Sequence, residues 1–155
     1  MKRILLIIGA LSALLSARGA DFAKALPTVS VACMRAEPRH GAEMVSQAIM
    51  GTPLRLLEEG RGGWWRVATP EGYEGWIIGN SLAPLDDDAF AAWQRSGRVF
   101  ISHPDPQFVY ADTVATGTLP RVSDLVDGAI LSGTPNPCGH FTAVTLPDGR
   151  QGFVL

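Results

Sequence analysis

Hydrophobic and polar positions follow two different rhythms along this chain. Lys2 and Arg3 precede a run dominated by apolar residues from Ile4 to Leu15, and small residues then continue through Ala20. A basic start, a short apolar stretch and a small-residue exit read as a cleaved signal peptide over residues 1–20. Cleavage after Gly19 would place Ala17 and Gly19 at the two small-residue positions, whereas cleavage after Ala20 would place Arg18 at one of them. The run is too short to span a bilayer comfortably, and no second such stretch follows, so the expectation is an exported, periplasmic or secreted chain with no stable membrane span.

Beyond the leader the pattern changes to short segments punctuated by glycine and proline. Pro53–Leu57 reads as a strand, Trp64–Ala68 as another with alternating character, and Pro70-Glu71-Gly72 as a tight turn into Gly75–Ile78. The stretch Val45–Ile78 aligns without a gap with Val122–Leu155 at a constant offset of 77 residues, as in Gly51/Gly128, Gly62/Gly139, Gly72/Gly149 and Gly75/Gly152. Repeated glycines at matched positions mean that one backbone is built twice, because glycine is used where φ is positive or strands approach closely. Aromatic character is kept at Trp64/Phe141 and Trp76/Phe153. These are the expected core residues, each burying on the order of 150–250 Å², and strict alternation then sends Trp65 outward.

Between the repeats, Asp86-Asp87-Asp88 and the segment to Gly97 predict a short helix. Aspartates cap its N-terminus, Phe90 and Trp93 share a face, and Gly97 ends it. The organisation is therefore all-β: two small barrels at 27–85 and 98–155, joined by a linker helix at 86–97. The first repeat continues through Gly79–Leu85, enough for a closing turn and strand, whereas the second stops at Leu155. The second barrel is thus expected to be truncated or to close by other means, leaving a sheet edge of the kind proteins avoid.

A net charge of −2 without basic clustering argues against affinity for phosphate backbones, so no nucleic acid is expected. His40, His103 and His140 lack a paired-ligand spacing, which predicts no metal, and no cofactor motif is present. Cys138-Gly139-His140 invites a nucleophile–base reading, but neighbours in a turn seldom orient one toward the other. Cys33 and Cys138 fall in different repeats, and two cysteines are too few for a disulfide framework.

The segments Ser30–Pro38, Ala42–Gly51, Gly63-Trp64-Trp65, Gly72-Tyr73-Glu74-Gly75-Trp76 and Leu146–Gly152, taken in this order, strongly resemble one family. They look like the N-terminal part of the NlpC-family γ-D-glutamyl-L-diamino acid endopeptidases, the dipeptidyl-peptidase VI type. The resemblance implies two bacterial SH3-type barrels preceding a cysteine-peptidase domain that frees L-Ala-γ-D-Glu from murein peptides. That family's nucleophile sits in an Asp-Cys-Ser-Gly motif at a helix start, and neither Cys33 nor Cys138 matches it. The chain as it stands is therefore expected to carry no catalytic residue.

By the same resemblance the first barrel supplies one wall of a substrate site. Tyr73 corresponds to the family's tyrosine at the pocket for the substrate's free amine, and Glu43 is the nearest match to an accompanying acid, with Glu37 as substitute. A partly desolvated ammonium needs a carboxylate and a hydrogen-bonding rim. Trp65 and Arg35 are candidate surface contacts, Arg35 equally able to bond carbonyls within its own barrel. Expected partners are murein peptides of the L-Ala-γ-D-Glu stem type or a NlpC-type catalytic domain. Three functions stay open: a non-catalytic wall-peptide-binding module, the N-terminal fragment of an active endopeptidase, and a free-standing periplasmic adaptor.

Overall fold

The computed structural model describes residues 23–113 and 119–155. The leader expected over residues 1–20 lies outside them. Among the described residues no helix is long and apolar enough to cross a membrane.

The chain folds into two antiparallel sheets and one short α-helix. The first sheet comprises β1 (Lys24–Pro27), β2 (Val31–Arg35), β3 (Met44–Ile49), β4 (Leu54–Glu59), β5 (Trp64–Ala68), β6 (Glu74–Ile78) and β7 (Leu82–Leu85), in the order β3-β2-β6-β5-β4-β1-β7. The second comprises β8 (Arg98–Phe100), β9 (Gln107–Tyr110), β10 (Arg121–Leu125), β11 (Ile130–Gly133), β12 (Thr142–Thr145) and β13 (Gln151–Val154), in the order β10-β9-β13-β12-β11-β8. Counting from the start of each sheet, the two orders are the same, except that β7 adds to β1 whereas β8 pairs, among the described residues, with β11 alone. The repetition thus reaches back over β1/β8 and β2/β9, where no sequence identity marked it. In hydrogen-bonding order both sheets are open ribbons, with β3 and β7 at the edges of the first and β10 and β8 at those of the second.

The repeated glycines explain themselves in place. Gly75 and Gly152 lie inside their strands, where an added methyl at Gly152 would meet Val109 Cγ1 at 2.5 Å and the Tyr110 carbonyl at 2.6 Å, and one at Gly75 would meet Met34 Cβ at 3.0 Å. Close strand approach excludes a side chain there.

Trp64 is buried as expected, but Trp65, expected to face outward, is the one that packs against the first core. Trp65 pairs with Ile77 and packs against the first core of Ala32, Met34, Leu54, Val67 and Ile77. Trp64 points to the other face yet is only 6% exposed, covered by His40 at 5.0 Å between ring centroids. Trp76, Phe141 and Phe153 are half-buried, while Ile77 and Val154 take the interior positions beside Trp76 and Phe153. Period-two alternation held, but residue size was a poor guide to which phase faces inward, because β-branched residues and small alanines fill a core this narrow.

Helix α1 (Asp87–Arg95) begins as anticipated, with Asp86 Oδ1 accepting from the Ala89 N–H at 2.7 Å and Phe90 stacked on Trp93 at 5.8 Å. Lys24 Nζ lies 4.8 Å from the Phe90 ring and the Arg98 guanidinium 5.3 Å from Trp93. Ser96 forms the C-cap. Gly97 serves a different purpose from helix termination: its carbonyl accepts from Gly133 N–H at 2.8 Å, and a methyl on it would sit 2.5 Å from the Gly133 carbonyl.

The sheets are joined chiefly through the turn after β3. Met50, fully buried, belongs to the second core, among Val99, Ile101, Val109, Leu125, Leu131 and Val154. Its carbonyl accepts from Ile130 N–H at 3.0 Å. Gly51 follows with φ +79°, and a side chain there would collide with the Ile130 carbonyl. Ser30 Oγ donates to Asp124 Oδ2 at 2.7 Å, and Arg150 donates to the carbonyls of Val122 at 2.9 Å and Thr28 at 3.3 Å. We expect Met50→Ala to destabilise the protein by about 2–5 kcal/mol, the usual range for emptying a methionine site. In urea unfolding, tryptophan fluorescence, which reports mainly the first sheet, and far-ultraviolet circular dichroism should shift together. An unchanged fluorescence midpoint would show that the two sheets unfold separately.

Candidate functional site

The pairing of β2 decides which loops meet. Arg35 lies opposite Met44 of β3 and opposite Trp76 of β6. Since β2 runs antiparallel to both neighbours, the end of β2 and the starts of β3 and β6 share one edge of the sheet. Glu37 just beyond β2, Glu43 just before β3 and Tyr73 just before β6 therefore emerge at the same end.

Each is held by local chemistry. The Ala36–Glu43 loop is braced by Arg35 Nη1, which donates to the Ala42 carbonyl at 2.9 Å, and by Ala36 N–H donating to the Glu43 carbonyl at 2.9 Å. Of the two roles open to Arg35, the structure shows the carbonyl-bonding one. Tyr73 sits on the β5–β6 turn, where its N–H donates to Thr69 Oγ1 at 3.3 Å and its carbonyl accepts from Thr69 N–H at 2.9 Å. The backbone is pinned and the side chain stands 62% exposed. Trp65, a candidate surface contact, is partly buried and packs against the first core.

Glu37 and Glu43 differ electrostatically. Glu37 accepts from Arg39 Nε at 3.1 Å and Nη2 at 3.2 Å. This hydrogen-bonded guanidinium, and then its charge, hold the Glu37 carboxyl below the ordinary glutamate range. Glu43 is exposed, and none of the ion pairs among the described residues engages it.

Sequence reasoning missed a neighbouring feature. Pro38, Glu58, Glu59, Gly60, Arg61 and Trp76 line an open groove of about 530 Å³ on the outer face. Beside it Arg66 Nη1 donates to Glu58 at 3.3 Å and Nη2 to Glu74 at 2.7 Å, and these partners, Glu74 foremost, raise its pKa above the ordinary arginine value. Only the cross-strand register of β5 and β6, which sets Arg66 opposite Trp76, brings these side chains together.

In the second repeat Arg150 stands near where Tyr73 stands in the first, and its guanidinium donates to Asp148 and the Val122 carbonyl within its own sheet and to the Thr28 carbonyl of the first. Cys33 and Cys138 are both free thiols. The turn carrying Cys138 is organised by Asn136, whose Oδ1 accepts from Cys138 N–H and whose Nδ2 donates to the Phe141 carbonyl, both at 3.3 Å. Among the described residues no three His, Cys, Asp or Glu side chains gather where they could hold a metal ion.

Residues 34–82 match the family described as the bacterial dipeptidyl-peptidase SH3 domain. Over 141 residues the chain is 29% identical to dipeptidyl-peptidase 6 of Lysinibacillus sphaericus, covering 84% of this chain and 48% of that protein. An NlpC/P60 family protein from Bacillus cereus superimposes with a TM-score of 0.64 at 17% identity, over 84% of this chain and 53% of the other. An NlpC/P60 endopeptidase from Photobacterium damselae subsp. piscicida does so with a TM-score of 0.58 at 18% identity, over 88% and 32%. The chain spans about half the length of the curated relative it matches. Residues 34–82 are accordingly similar to the bacterial SH3 domain of the dipeptidyl-peptidase type, within a chain whose structural neighbours are NlpC/P60 family proteins.

Proposed function

We propose that this chain is an exported, non-catalytic module of the murein-peptidase type, in which two SH3-type units at 27–85 and 98–155 flank a linker helix and the first presents a wall to the free amine of an L-Ala-γ-D-Glu stem peptide. The observation that carries this reading is the convergence of Tyr73, Glu43 and Glu37 at one end of three adjacent strands, set by the pairing of Arg35 with both Met44 and Trp76. Between the acids, Glu43 is the better ammonium partner because Arg39 already occupies Glu37. Tyr73 would supply the rim, its hydroxyl carried on a turn whose backbone is fixed. In the second repeat Arg150 stands in place of Tyr73 and donates to the Thr28 carbonyl of the first sheet.

A second reading draws on the similarity to a protein named dipeptidyl-peptidase 6: these sheets would be a portion of an active cysteine endopeptidase. An Asp-Cys-Ser-Gly motif in the reading frame downstream of Leu155 would favour it over the non-catalytic module.

The amine site is tested by titrating the full chain with the L-Ala-γ-D-Glu-diamino acid tripeptide and with its N-acetylated form. We expect binding of the free amine, its loss on acetylation, and a weakening of about tenfold or more for Glu43→Gln, the scale of one charge-assisted hydrogen bond. Tyr73→Phe should weaken it less. Equal binding of both peptides would overturn the assignment, as would hydrolysis of the tripeptide that Cys33→Ser or Cys138→Ser abolishes.

Glu37 gives a separate check by carboxyl carbon NMR. Its midpoint should lie below the ordinary glutamate value and return toward it in Arg39→Gln. Because the folded-state pKa is the depressed one, the small stabilisation from this pair is present above the ordinary glutamate value and disappears as the pH falls through the lowered one.

A further inference from the structure

The outer faces of the two sheets carry the same two cross-strand rows with opposite electrical character. In the first sheet one row runs Arg55, Ala68, Glu74 and the next runs Arg66, Trp76, Arg35. In the second sheet the matching rows are Ser132, Thr145, Gln151 and Ala143, Phe153, Tyr110. The aromatic at the centre is retained as Trp76 or Phe153, while all four charged positions have become neutral: Arg55 is replaced by Ser132, Glu74 by Gln151, Arg66 by Ala143 and Arg35 by Tyr110.

The change also alters shape. In the first sheet the Arg66 guanidinium is clamped across the face by Glu58 and Glu74. In the second, the Ala143 methyl leaves that volume open, and a groove of about 420 Å³ appears between Phe153 and the Ser132–Thr145–Gln151 row. This falls within the roughly 300–1,000 Å³ of small-ligand sites. Ser132 Oγ lies 3.3 Å from Ser96 Oγ at one end of the row. Among the described residues that line the groove none is charged, and Arg98, which continues the row beyond Ser132, has its guanidinium over the Trp93 ring.

A half-buried aromatic ring beside a row of hydroxyl and amide groups, with no charge, suits a ligand that has an apolar C–H face and neutral hydrogen-bonding groups on its rim. A stem peptide, with carboxylates and an ammonium, would find no counter-charge among the described lining residues to offset their desolvation. We propose that the groove on the second sheet binds an uncharged sugar segment, its ring face against Phe153 and its hydroxyl or acetamido groups on Ser132, Thr145 and Gln151. This does not depend on the peptide-amine reading of the first sheet, which concerns a different surface.

The test is a nitrogen-15 NMR titration of the full chain with the tetrasaccharide of N-acetylglucosamine. The expected result is saturable shifts concentrated at Ser132, Ala143, Thr145, Gln151 and Phe153, with the Trp76 face unmoved. Ala143→Arg, which restores the first sheet's bulk and charge, should weaken binding by about tenfold or more, the scale of losing one or two hydrogen bonds and a ring contact, with the melting temperature unchanged. If that variant fails to fold, Thr145→Val keeps the β-branched shape, removes one hydroxyl and should still weaken binding severalfold. Absence of saturable shifts overturns the proposal, as do shifts on the Trp76 face instead. So does the finding that the L-Ala-γ-D-Glu-diamino acid tripeptide moves these amides and the sugar does not.

Discussion

The second sheet's core is completed by a residue from the first. Met50 occupies the centre of the second apolar cluster, and the hydrogen bond from Ile130 to its carbonyl fixes the depth of insertion. Small sheets of this size bury little surface by themselves, so lending one methionine across the boundary matters more here than in a large domain. Gly51 is the accompanying constraint, since only a residue without a side chain lets the turn pass against the Ile130 backbone. The Ser30–Asp124 bond and the Arg150 contact with the Thr28 carbonyl then bind the rim of one sheet to the other.

Much of this architecture was legible in the sequence, for physical reasons that can be named. Matched glycines at an offset of 77 announced a duplicated backbone, and at Gly75 and Gly152 the structure shows why no other residue fits. The aspartate cap and the Phe90–Trp93 pair placed the helix to within a residue. The inward and outward phase of β5 was not legible, because a Trp-Trp dipeptide offers an apolar residue to both faces. What settles the matter is Trp65 opposite Ile77 on one side and His40 over Trp64 on the other, and such cross-chain pairings leave no mark on the local pattern.

The candidate site was partly readable in the same sense. Family resemblance pointed to Tyr73 and two acids; strand register then brought all three to a single edge. The preference for Glu43 over Glu37 needed the Arg39 contact, which depends on the shape of a loop. The Arg66 cluster and the emptied face around Phe153 were invisible until cross-strand partners were known, because their meaning lies in comparing one copy with the other. Duplication leaves the backbone alike and frees the exposed rows to diverge.

Since Met50 cannot withdraw without opening a void in the second core, α1 is not a hinge. The two outer faces are therefore coupled through a shared core residue and not through the linker helix alone. Any ligand long enough to reach both faces would meet them in the relation set by that shared residue, so emptying the Met50 site would change how the two faces are presented together.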